Sequence, residues 1–131
     1  MDKKISVLLV DDEIDFTQPM SFWLQSKGYS VIVASDGRKA VEIVKKDSPD
    51  VVFMDLNMPG GDGVSAVKDI RAFDKEIPVI IISAYLDNER VREVGPYGIS
   101  GVFYKGADFK EGLALLESAL RTHKKLRDLK K

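Results

Sequence analysis

The stretch VVFMDLNMPGGDG, Val51 to Gly63, decides the fold. Four apolar residues, Val51 to Met54, run without alternation into a carboxylate, Asp55, and a Pro and several Gly follow. A short continuous apolar run bounded by turn residues reads as a strand buried on both faces, the habit of a parallel sheet. Pro59-Gly60-Gly61 is then turn geometry at the strand's exit. Asp55 falls on the rim where open α/β sheets place their ligands. A charge closing an apolar strand needs partners, because unpaired it is costly.

Outward from this stretch the same pattern repeats. Ile5 to Val10 is a β-rich run ending in Asp11-Asp12-Glu13. In the following helix, Ile14 to Lys27, Phe16, Met20, Trp23 and Leu24 share one face, with Pro19 interrupting early and Gly28 as the stop. Tyr29 to Ala34 is less uniformly apolar, as suits an edge strand. Asp36 caps a helix over Gly37 to Lys46 with Ala40, Ile43 and Val44 inward.

On the other side, Gly63 to Phe73 reads as a helix with Val67, Ile70 and Phe73 facing the core. Val79 to Ile82 is a strand ending in Ser83-Ala84. Leu86 to Val94 is a weak helix anchored by Val91 and Val94, followed by the loop Gly95-Pro96-Tyr97-Gly98. Gly101 to Tyr104 is a short strand running into Lys105. Asp108 and Glu111 have capping-box spacing before a last helix whose buried stripe is Leu113, Leu116 and Leu120. Five strands alternating with five helices require a parallel sheet covered on both faces, a doubly wound α/β fold.

Composition bounds the function. The 131 residues suit one domain, with about the last eight (124–131) a helix end or the start of a linker. Apolar content of 44% and charged content of 31% are ordinary for a globular protein. A net charge of −1 argues against a nucleic-acid or membrane surface, and the basic tail from Arg121 reads as a solvated helix end. There is no cysteine, hence no disulfide framework and no thiolate zinc site. Met1-Asp2-Lys3-Lys4 leads straight into a strand, so a signal peptide is not expected, and the expected location is cytoplasmic.

Four strands end on reactive polar residues: Asp11 and Asp12, Asp55, Ser83, and Lys105. Alone, each has an ordinary explanation as a helix cap, a loop acid, a strand-end serine or a snorkelling lysine. Parallel strands place all of them on one rim. With strand order 2-1-3-4-5, the three carboxylates converge at the switch point between the first and third strands. Such a cluster resists ionising, and a hard divalent cation, Mg²⁺, resolves the repulsion. Lys105 and Ser83 offer donors to phosphoryl oxygens, and Asp55 is a carboxylate able to act as nucleophile. The only histidine, His123, lies far along the last helix.

Asp11-Asp12, MDLNMPGGDG from Met54, Ile82-Ser83-Ala84 and Phe103-Tyr104-Lys105-Gly106 together resemble the receiver domain of two-component response regulators. The resemblance covers nearly the whole chain and implies the flavodoxin-like strand order 2-1-3-4-5 of the chemotaxis regulators. It implies that Asp55 takes a phosphoryl group from a sensor histidine kinase or phosphotransfer protein. Asp11, Asp12, Asp55 and the Asn57 backbone carbonyl would hold Mg²⁺. Lys105 would pair with Asp55 and then with the phosphoryl group, and Ser83 would be the switch hydroxyl. Asn57 and Tyr85 match the positions that tune phosphoryl lifetime.

The expected output is a changed surface around the fourth helix, fifth strand and last helix. That surface would be read by a downstream protein or a C-terminal output domain, or by a second copy in a phosphorylation-dependent dimer. Two positions depart from the family pattern. Gly106 replaces the proline after the lysine, so the peptide there is expected to be trans. Val102 stands at the aromatic switch position, with Tyr104 on its face of the strand and Phe103 on the other. The competing readings are a degenerate receiver that binds partners without phosphorylation and a Mg²⁺-dependent phosphohydrolase. The latter needs a general acid close to its nucleophile, and position 57 is Asn.

Overall fold

The computed structural model describes residues 4–58, 63–84 and 89–129, with side chains through 122. The strands are β1 (Ser6–Val10), β2 (Ser30–Ala34), β3 (Val51–Asp55), β4 (Val79–Ser83) and β5 (Gly101–Tyr104). The helices are α1 (Ile14–Ser26), α2 (Gly37–Asp47), α3 (Gly63–Phe73), α4 (Glu89–Val94) and α5 (Phe109–Leu129). All strand pairs are parallel, in the order β2-β1-β3-β4-β5. This is the doubly wound sheet expected from the alternation of elements, in the flavodoxin-like order that the family resemblance implies.

Strands β3 and β4 are buried along their whole length, which is why their sequences show no polar alternation. Their side chains still alternate between two cores. Leu8, Val10, Val52, Met54, Val79 and Ile81 pack with Ala40 and Val44 of α2, Ala66, Val67 and Ile70 of α3, and Val94 of α4. Val7, Leu9, Val51, Phe53, Ile80, Ile82 and Phe103 pack on the other face against Met20 and Leu24 of α1 and Leu116 and Ala119 of α5. Strand β2 is one of the two edges, and Val33 there is exposed, as its mixed sequence predicts.

The expected local signals are largely in place. Asp36 Oδ1 accepts the Lys39 N–H at 2.9 Å and caps α2. Gly28, at φ +98°, ends α1 in a Schellman arrangement, with the Tyr29 N–H donating to the Leu24 carbonyl and the Gly28 N–H to that of Gln25. Pro19 sits inside an otherwise continuous α1 and forgoes the bond its N–H would give Asp15. Asp108 caps α5 by accepting the Lys110 N–H at 2.9 Å.

Some expectations need correction. Phe73 does not face the core: it is 44% exposed, with the Lys45 ammonium 5.1 Å from its ring centroid. It is the last residue of α3 and lies at the border of the buried stripe, where Arg71 is buried instead. On α5, Leu113 is only half-buried, and Ala119 joins Leu116 in the buried stripe. The loop at Gly95 contains a 3-10 turn, Gly95–Tyr97. The expected start of α4 at Leu86 lies outside the described residues, as do Tyr85 and the Pro59-Gly60-Gly61 turn.

Candidate phosphoryl-acceptor and metal site

The carboxyl ends of β1 and β3 are neighbours, with Val10 opposite Met54, so the residues that follow each strand share one rim. Asp11 is held there from two sides. Its N–H donates to the Ala34 carbonyl at 3.0 Å, and its Oδ1 accepts the Glu13 N–H at 2.9 Å. Asp11 is 2% exposed and Asp55 4%, whereas Asp12 is open to solvent. One carboxylate oxygen from each of Asp11, Asp12 and Asp55 lies within 4.8 Å of the others.

Asp55 Oδ1 accepts the Asn57 N–H at 3.0 Å, which turns the chain away from the strand and leaves Oδ2 toward the cluster's cation, Lys105. Asn57 itself is exposed. Directly behind Asp55 stands Gly63, the first residue of α3. A Cβ there would lie 2.0 Å from the Asp55 carbonyl oxygen and 2.6 Å from the Leu56 Cα. The helix can approach the Asp55 backbone only because this residue has no side chain.

Lys105 follows β5, and its N–H donates to the carbonyl of the fully buried Ser83 at 2.9 Å, fixing both strand ends together. Its ammonium lies 2.8 Å from Asp11 Oδ2, contacts Glu13 Oε1, and stands 3.6 Å from Asp55 Oδ2. The nearest partners of Lys105 are therefore Asp11 and Glu13, with Asp55 third. Burial pulls the ammonium's pKa down, but Asp11, Glu13 and Asp55 outweigh it and leave Lys105 above the ordinary lysine value. Burial pushes the Asp11 carboxyl up to about 6, against the lowering pull of Lys105 and the Glu13 N–H and with a further push from Asp55.

Asp11 Oδ2 is buried, with the Lys105 ammonium 2.8 Å away. Three carboxylates this close, two of them buried and faced by a single lysine, fit a small, oxygen-seeking divalent cation such as Mg²⁺. Oxygen donors alone, with no sulfur or imidazole among them, favour Mg²⁺ over softer metals.

Three participants carry little signal in the sequence. Glu13 reads as the third member of an acidic run, yet its carboxylate meets Lys105 across 92 positions. Phe16 reads as core, yet its ring centroid lies 5.3 Å from the Lys105 ammonium. Arg90 of α4 donates to the Leu56 carbonyl at 3.4 Å, next in the chain to Asp55. At the departures from the pattern, no cis peptide occurs among the described residues, so the bond before Gly106 is trans. Val102 packs toward the α2–α4 core and Phe103 is buried on the opposite face.

Comparison with known proteins bears on this geometry. The model of the response regulator receiver domain matches residues 7–117. The transcriptional regulatory protein ZraR of Escherichia coli strain K12 is 37% identical over 120 residues, covering 91% of this chain and 27% of its own length. The chain thus spans about a quarter of the length of that regulator. Sporulation initiation phosphotransferase F of Bacillus subtilis strain 168 is 33% identical over 105 residues, covering 80% of this chain and 85% of its own. The chemotaxis response regulator CheY4 of Vibrio cholerae superposes with a TM-score of 0.83 at 32% identity, covering 90% of this chain and all of its own. An acidic rim at the strand ends, the sheet order that builds it and these likenesses agree: the chain belongs to the response regulator receiver domain family of two-component systems.

Proposed function

We propose that Asp55 is the phosphoacceptor of this receiver, taking its phosphoryl group from the phosphohistidine of a sensor kinase or phosphotransfer protein. The observation that carries the reading is the meeting of Asp11, Asp12 and Asp55 within 4.8 Å, with the Lys105 ammonium on the same rim. An Asp55 carboxylate oxygen forms the new O–P bond as the P–N bond breaks, and the electron pair leaves on the imidazole nitrogen.

Asp11, Asp12, Asp55 and the Asn57 backbone carbonyl would hold Mg²⁺, which neutralises charge on the acceptor and the transferring oxygens. Lys105 supplies a positive charge for the phosphoryl oxygens, and Ser83, at the neighbouring strand end, a hydroxyl donor. The rearrangement of Ser83 and Lys105 would alter the face made by α4, β5 and α5. A downstream protein, an output domain or a second copy in a dimer would read that change in the cytoplasm. Asn57, where a hydrolase of this type would place a general acid, supports a switch over a turnover enzyme.

Intact-mass measurement after incubation with Mg²⁺ and acetyl phosphate tests the reading. One phosphoryl group should add to the wild type, and none to Asp55→Asn or in EDTA. No adduct on the wild type would instead make the chain a phosphorylation-independent binding module. Steady turnover of small phosphate esters would make it a hydrolase.

A further inference from the structure

Lys105 is contested. Its ammonium has Asp11 at 2.8 Å and Glu13 in direct contact, while Asp55 stands at 3.6 Å, beyond hydrogen-bond reach. Asp11 is accounted for as a buried member of the carboxylate cluster. Glu13 is not: it lies outside the three-carboxylate group, and its side chain is 62% exposed. Nor does it serve the helix it precedes, since as the residue capping α1 its side chain makes no capping bond. Among the described residues, the contact with Lys105 is the one side-chain task the structure gives this carboxylate.

Phe16, also from the start of α1, lies against the ammonium with its ring centroid at 5.3 Å. The backbone beyond Lys105 offers no comparable brace, for Gly106 has no side chain and a Cβ there would meet nothing within 4 Å. The aim of the Lys105 tip is therefore set by its side-chain neighbours, and both α1 neighbours draw it toward the α1 side of the rim.

From this we infer that Glu13 is a positioning residue: in the unphosphorylated protein it holds the Lys105 ammonium off Asp55, and an arriving phosphoryl group must take the lysine from it. The inference rests on the reading of Asp55 as phosphoacceptor. Phe16 supports the held position, with its ring centroid 5.3 Å from the ammonium. An exposed pair of this kind is weak enough to be displaced by a phosphoryl group bearing two charges.

Glu13→Gln removes the charge and keeps the shape, and with no capping bond to lose it should fold as the wild type does. At saturating Mg²⁺, labelling of Asp55 by acetyl phosphate should be about two- to fivefold faster in Glu13→Gln, the range for one exposed charge pair. Glu13→Asp, shorter but still charged, should fall between the two. The factor should be the same with phosphoramidate, which carries less negative charge than acetyl phosphate, because the gain comes from freeing Lys105.

Equal or slower labelling of Glu13→Gln overturns the inference. A gain that shrinks with the less charged donor also overturns it, since Glu13 would then merely repel the donor. A wild type with no adduct, or an adduct that survives in Asp55→Asn, fails the phosphoacceptor reading itself and takes the inference with it.

Discussion

Asp11 is the residue on which charge and burial conflict most directly. Without a cation, burial raises its carboxyl to about 6, against 3.8 for an unhindered aspartate. Between those values the folded chain holds a proton that the unfolded chain has released, so stability falls as pH rises through this window. Metal-free protein should therefore melt at a higher temperature near pH 5 than at pH 7, relative to Asp11→Asn measured in parallel. A wild-type profile that runs parallel to the variant's would contradict the raised carboxyl. The strand-end placement of Asp11, Asp12, Asp55 and Lys105 was legible in the sequence because each closes a β-rich run, buried throughout only at β3. Glu13 was not, because its partner depends on where α1 begins relative to β5.

Among the elements, α3 shows how a helix start can set a site. Its first residue abuts the Asp55 backbone, and a Cβ at Gly63 would sit 2.0 Å from the Asp55 carbonyl oxygen. Gly63→Ala should cost about 1–3 kcal/mol in urea unfolding, as overpacking does, and slow phosphoryl labelling by moving the acceptor. Unchanged stability and labelling would mean that the helix shifts freely away from the strand. Element existence was legible from periodicity throughout, because buried strands and amphipathic helices leave different patterns. The burial of Phe73 was misjudged because it lies at the end of α3, where the apolar stripe ends and tertiary contacts turn Arg71 inward instead.

Across the whole molecule, the rim that carries the chemistry is balanced by a clamp at the far end of β4 and β5. The buried guanidinium of Arg71 donates to the carbonyls of Tyr97 at 2.9 Å, Gly98 at 2.9 Å and Asp74 at 3.0 Å, tying the end of α3 to the turn before β5. Burial lowers the Arg71 pKa from the usual arginine value, with Asp74 opposing. Arg71→Met leaves those carbonyls unmet and should lower unfolding free energy by about 2–4 kcal/mol in urea titration. A loss within the scatter of surface substitutions would show that water replaces the clamp without penalty. The sheet order was legible only through the family resemblance; alternation alone requires a parallel sheet and leaves the order of its strands open.

The meeting of Glu13 with Lys105 spans 92 positions. A ribosome therefore releases Asp55 and its acidic neighbours well before the cation that completes their surroundings. Until the fifth strand docks, the cluster is an array of carboxylates lacking that positive charge. The carboxylates thus gain this counter-charge only when the strand that precedes Lys105 has joined the sheet.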